Sequence, residues 1–331
     1  MISESELIFI VSQPRAGSTF LQKVLATNPA IATSGEPWVL LKYANFLKPG
    51  LVKTPFETKL TTEAFDKFLI NAGYSSNEFI STILKDQILK LYDKKRGTRK
   101  YFLDKTPRYY EILPELISLF PKSKIIILKR NPLDILTSIV KSWNKTTLSL
   151  LVDHYRDICI APGLLQSFLE EHPLQNVREI SYESLIDDPM NLIKDLSIWL
   201  GIETNLNSFN EYSSVELDTK FGDQVGSEKY FGVADGSVNA WEDLYNANSY
   251  WRNFFKGYIN ELGVDFLVKY GYEYTISAQS TAAFSNFKRY HFLNYNTNPL
   301  TKPKSWIPFL RLKFLELTQK SLIGKAPSIS R

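Results

Sequence analysis

The run Leu7-Ile8-Phe9-Ile10-Val11 stops at Ser12-Gln13-Pro14-Arg15-Ala16-Gly17-Ser18-Thr19, and this junction constrains the fold more than any other stretch. Five consecutive apolar residues, three of them β-branched, suit a strand buried on both faces. Pro14 and Gly17 end the extended pattern. From Ser18 a helical spacing takes over, with Phe20, Leu21, Val24 and Leu25 turned towards the sheet. Strand, glycine-bearing loop and helix start together form an anion cradle. The first helical N–H groups lack intrahelical partners and face the ligand, and Arg15 adds a full positive charge.

The cradle differs from a Walker A loop, where a lysine follows the glycine. Here Gly17 is followed by Ser18-Thr19, and the basic residue comes earlier, at Arg15. Nor does it carry the dinucleotide fingerprint. A chain of 331 residues with 44% hydrophobic and 14% aromatic residues can bury a sizeable core, which excludes global disorder. The single cysteine, Cys159, makes no intrachain disulfide, and three separated histidines offer no metal constellation, so no metal site is expected. An acidic opening, Met1-Ile2-Ser3-Glu4-Ser5-Glu6, and the absence of an 18-residue apolar run lead us to expect a cytoplasmic enzyme, with peripheral membrane contact left open. Residues 276–331 carry a net charge of +8 and the preceding 275 a net charge of −4, so the basic surplus is local and implies no nucleic-acid partner.

Strand and helix signals alternate along the chain. Short strands are expected at Ile31–Thr33, Tyr101–Leu103 and Val177–Ile180, and a central parallel strand at Lys124–Lys129. Helices are expected over Trp38–Leu47, Thr62–Leu69, Glu78–Tyr92, Tyr109–Leu119, Leu148–Phe168, Met190–Leu200 and Tyr250–Tyr270. That order predicts an α/β fold of three layers, a mostly parallel central sheet flanked by helices. Glu36 follows the second strand between Gly35 and Pro37, which constrain the backbone and place the side chain at the end of the sheet where the Arg15 loop lies. Arg130 stands directly after the central strand, and Ser138 about two turns into the next helix. Asn205 to Asn248 is long and polar enough to serve as an active-site cover. We expect a catalytic domain over 1–275 and a basic extension over 276–331, whose segment Trp306–Leu322 packs on the domain or contacts a membrane or partner.

Three segments in this order, Q-P-R-A-G-S-T-F-L at 13–21, I-I-I-L-K-R-N-P-L-D-I-L-T-S at 125–138 and I-S-Y-E-S-L-I-D-D-P at 180–189, resemble the sulfotransferases that use 3′-phosphoadenosine 5′-phosphosulfate (PAPS). The resemblance implies the P-loop-like sulfotransferase fold. It implies that Arg15, Ala16, Gly17, Ser18 and Thr19 hold the 5′ phosphosulfate end and that Arg130 and Ser138 hold the 3′ phosphate. It also implies Tyr182 near the adenine and a late basic loop over the 3′ phosphate, to which Lys229 contributes. The base and the loop arginine are most like the protein-tyrosine sulfotransferase branch. There a Gly-Glu after the first helix supplies the base, matched by Gly35-Glu36, and a lysine before a proline supplies a second cation, matched by Lys105 in Lys105-Thr106-Pro107.

The expected reaction is direct in-line sulfuryl transfer with release of PAP, with Glu36 as base and Arg15 and Lys105 stabilising the leaving group, and no metal required. His154 stays open as the other base. The expected acceptor is a hydroxyl of a carbohydrate, lipid-linked or other small molecule. Three further readings stay open beside it: a protein-tyrosine sulfotransferase, a P-loop nucleotide-dependent kinase, and an inactive PAP-binding interaction protein. The sequence sets no oligomeric state.

Overall fold

A computed structural model describes residues 1–52, 57–145, 151–205, 207–218, 238–281, 284–285 and 287–288. The chain divides into two compact units, Met1–Arg130 with Gly163–Asp235, and Asn131–Pro162 with Gly236–Arg331.

The first unit holds a five-stranded sheet in the order β2-β3-β1-β4-β5. Its strands are β1 (Leu7–Ser12), β2 (Ile31–Thr33), β3 (Tyr101–Lys105), β4 (Lys124–Lys129) and β5 (Val177–Ser181). Each neighbouring pair is parallel. All six residues of β1 are buried, which matches its place at the middle of the sheet and its unbroken apolar run. The chain leaves β1 towards β2 and β3 on one side and later returns to β4 on the other. The carboxyl end of β1 is therefore the point where strand order reverses, the usual place for a crevice in an open parallel sheet.

The expected strand Tyr101–Leu103 runs two residues further. Pairing of Phe9 with Asp104 and of Ile10 with Lys105 carries the ladder through two charged side chains. Alternate residues of β3 then serve opposite faces. Lys105 meets Thr19 of helix α1 (Ser18–Ala26). On the other face, beyond α2 (Val39–Lys42), α3 (Ala44–Leu47), α4 (Thr58–Asn71) and α5 (Ser76–Phe79) in the chain, α6 (Lys85–Arg96) stacks Tyr92 on Phe102 at 4.9 Å. Helices on both faces of the parallel sheet complete the three-layer α/β fold.

Proline and glycine set two departures from the helical reading. The Tyr109–Leu119 helix begins as a tighter turn over Pro107–Ile112 and becomes α7 only at Leu113–Leu119, since Pro114 lacks the N–H that would continue the preceding turn. The Tyr250–Tyr270 helix breaks at Gly263, whose φ of +89° is left-handed, into Ser249–Leu262 and Val264–Tyr270.

The second unit is helical in its described parts. Asn131 caps α8 (Pro132–Ser142) by accepting from the Leu133 N–H at 2.9 Å and also accepts from the Tyr274 hydroxyl at 2.7 Å. The Asp134 carboxylate accepts from the Asn239 and Trp241 N–H groups at 2.9 and 3.0 Å, which fixes the start of the helix Trp241–Ala247. Phe254, Phe284 and Phe287 pack ring against ring, with Tyr258 beside them donating to the Ile158 carbonyl at 2.8 Å. Among the described residues no helix is long and apolar enough to cross a membrane. Much of the polar stretch 205–248, Lys229 included, and Trp306–Leu322 lie outside the described residues.

Phe9 has no exposed surface and its ring touches those of Tyr92, Tyr109 and Phe120, with centroids 5.9 to 6.4 Å apart. Truncation to alanine leaves a cavity between the sheet and this cluster. We predict that Phe9→Ala loses about 3–5 kcal/mol of unfolding free energy, read by urea titration.

Candidate active site

The loop after β1 turns sharply because two of its residues adopt left-handed backbone, Arg15 at φ +71° and Gly17 at φ +93°. The Ala16 N–H closes the turn onto the Gln13 carbonyl at 3.2 Å. Helix α1 starts with Gly17 as its cap and no side chain closing its first turn, which leaves donors facing the loop. Glycine is required at 17 for space as well. A Cβ there would fall 2.4 Å from Cδ2 of Tyr182, whose ring is 1% exposed.

Arg130 also lies against that ring. Its Cζ is 4.3 Å from the Tyr182 centroid, and its Nη1 donates to the Arg15 carbonyl at 2.8 Å. The residue is 3% exposed, so a nearly buried cation is held against the cradle by a cation–π contact and a backbone acceptor. The loop after β1 and the residue after β4, far apart in sequence, are thus joined directly.

A second cation sits at the end of β3. The Lys105 side chain is 1% exposed, and its Nζ donates to Thr19 Oγ1 at 3.1 Å and to Glu36 Oε1 at 2.8 Å. The other oxygen of Glu36 accepts from the Trp38 indole Nε1 at 3.1 Å. The loop bearing Glu36 is fixed from beneath by Gln22 of α1, whose Nε2 donates to Thr33 Oγ1 at 2.7 Å and to the Ser34 carbonyl at 2.6 Å. Asp218 holds the same loop by accepting from Ser34 Oγ at 2.8 Å and the Gly35 N–H at 3.2 Å, and it pairs with Lys95.

Behind Lys105 the sheet buries a carboxylate. Asp104 accepts from the Tyr92 hydroxyl at 2.7 Å, the Tyr109 hydroxyl at 2.9 Å and the Thr106 hydroxyl at 2.8 Å. Burial raises its pKa to about 6, partly offset by these hydrogen bonds and by the nearby Lys105 charge. Tyr109 also accepts from the Leu40 N–H at 3.0 Å, so the network reaches the first turn of α2, just beyond Trp38.

The structure therefore brings Gly17, Thr19, Glu36, Lys105, Arg130 and Tyr182 into one connected set, together with the backbone of Arg15. Ser138 stands half-buried on α8, and His154 packs on Trp143 with ring centroids 4.6 Å apart and faces Asp157 Oδ2 at 3.2 Å; both belong to the second unit. Sequence reasoning, which offers Trp38 with Tyr43, Tyr74 and Trp241 as a pocket wall, missed Asp104, Asp218 and the contact of Trp38 with Glu36. Of these only Asp104 left a signal, a carboxylate adjoining Lys105 and followed within five residues by two hydroxyl-bearing partners.

The Sulfotransferase family matches residues 7–205 of the chain. The nodulation protein NoeE of Sinorhizobium fredii is 26% identical over 292 residues, covering 82% of this chain and 67% of that protein. An uncharacterized protein of Aquifex aeolicus is 22% identical over 204 residues, 57% of this chain and 24% of the relative. The solved sulfotransferase domain from the curacin biosynthetic pathway shares the fold, with a TM-score of 0.50 at 18% identity, covering 82% of this chain and 99% of that one.

Two outcomes follow from the packing around the cradle. Asp104 binds its proton more tightly folded than unfolded, so this group favours the folded state most below about pH 4, and its ionisation costs stability as pH rises towards and through about 6. We expect the stability of wild type relative to Asp104→Asn to fall by about 2 kcal/mol between pH 4 and 7, measured by denaturant titration at each pH. Gly17→Ala drives a methyl group into Tyr182 and strains the backbone, and should cost about 1–3 kcal/mol of unfolding free energy, read by urea titration.

Proposed function

The chain belongs to the Sulfotransferase family, and we propose that it moves a sulfuryl group from PAPS to a hydroxyl of a carbohydrate, lipid-linked or other small-molecule acceptor by direct in-line transfer. The observation that carries this reading is the chain of contacts from Thr19 through Lys105 to Glu36, in which a loop hydroxyl, a buried ammonium and a carboxylate meet within 3.1 Å. Transfer needs those groups together: donors at the phosphosulfate, a cation for the leaving oxygen, and a base for the acceptor.

The donor set suits a dianionic nucleotide end. A helix start whose cap is a glycine, Ser18 and Thr19 in its first turn and Arg15 two residues before the cap support this reading, in a loop with no room for a side chain at Gly17. When bound, PAPS supplies an activated sulfuryl group, its S–O bond to the 5′ phosphate breaking as the acceptor oxygen bonds to sulfur. Glu36 takes the proton from the acceptor hydroxyl. Lys105 and Arg15 neutralise the charge that gathers on the departing phosphate oxygen. Arg130 holds the 3′ phosphate, a role the family resemblance gives Ser138 as well, and Tyr182 sets the position of Arg130 while flanking the nucleoside. The cations of the chain carry the electrostatic load.

Radiolabelled PAPS incubated with fractionated cell extract identifies the acceptor by its label. We expect Arg130→Ala to weaken PAP binding by roughly 10- to 100-fold, the loss of charge-assisted bonds to phosphate, and equal affinity in both proteins would reject that assignment. Glu36→Gln should lower turnover of the labelled acceptor by roughly 10²- to 10⁴-fold with little change in PAP affinity, as removal of a general base predicts. Unchanged turnover would remove Glu36 from the reaction.

A further inference from the structure

We propose that Trp38 is a positioning residue for Glu36, its indole N–H holding the carboxylate in the orientation from which it accepts the proton; this rests on the reading of Glu36 as the base. The two oxygens of Glu36 have different partners, Lys105 Nζ at 2.8 Å on Oε1 and Trp38 Nε1 at 3.1 Å on Oε2. These partners are not equivalent. Lys105 is also required on the leaving-group side, where growing negative charge competes with Glu36 for its protons. Trp38 is a neutral donor with no second anionic partner in the reaction, so its bond persists while the ammonium is shared. One oxygen stays anchored and the other faces the acceptor.

The backbone supports this role. Trp38 adopts φ +53° and ψ +25°, a left-handed conformation that strains a bulky aromatic residue. Such strain persists only where neighbouring contacts over-determine it. The contacts are present: the Leu40 N–H is tied to Tyr109 and through it to Asp104, and the Arg108 guanidinium lies 5.3 Å from the Trp38 ring centroid. With Arg108 against the half-buried ring and the following turn fixed, the indole N–H is directed at the carboxylate. An ordinary packing role for Trp38 would need neither the left-handed backbone nor the carboxylate partner.

The test separates the contact from the chemistry. In a ¹⁵N-labelled protein the Trp38 indole cross-peak is identified by its loss in Trp38→Phe, and we expect it to move in Glu36→Gln while those of the other five tryptophans stay in place. A Trp38 peak indifferent to Glu36→Gln overturns the proposal without any need for an active assay. With the acceptor found by labelling, Trp38→Phe should lower kcat about tenfold, with PAP affinity, acceptor KM and melting temperature unchanged. Equal kcat in Trp38→Phe and wild type overturns it as well. If Glu36→Gln keeps full turnover while the indole peak still moves, the contact is real but the base has been misassigned, and the positioning role falls with it.

Discussion

The contact of Lys105 with both Thr19 and Glu36 is the interaction on which the site depends. It joins the ends of three structural segments: the helix that follows β1, the last residue of β3, and the loop after β2. A parallel sheet fixes where strands stop but not what their loops do, and one ammonium bonded to a hydroxyl and a carboxylate ties a helix start, a strand end and a loop together. Its burial makes the arrangement exacting, because an ammonium with 1% exposure must find its hydrogen-bond partners in the protein and not in water.

The support behind it runs in the opposite direction across the sheet. Asp104, adjacent to Lys105 and facing the other layer, is a buried carboxylate satisfied by three hydroxyl groups. Through Tyr109 it constrains the Leu40 amide, and hence the turn that presents Trp38 and Glu36. Two successive residues of one strand therefore act on the same loop from different faces, Lys105 at its side chain and Asp104 at its backbone. An entirely apolar β3 would be easier to bury but would hold neither.

The strands, the loop after β1 and the positions of Arg15, Glu36, Lys105 and Arg130 at carboxyl strand ends were legible in the sequence, because apolar runs followed by Gly, Pro or a basic residue report directly on backbone path. The length of β3 was not. Asp104 and Lys105 read as loop by polarity, and only pairing with Phe9 and Ile10 brings them into the sheet. The role of Trp38 was hidden for a different reason, since a large aromatic beside a proline is ordinarily core, and nothing local shows which edge of an indole points at a carboxylate 2 residues earlier. Asp218 was hidden by distance, acting on Gly35 across 183 positions of sequence.

Arg15 shows how one residue divides its labour. Its left-handed backbone offers the carbonyl to Arg130, and that duty belongs to the main chain alone. The guanidinium is a separate asset. A glycine would take up this backbone without strain and keep the carbonyl where Arg130 meets it, while stripping the loop of its cation.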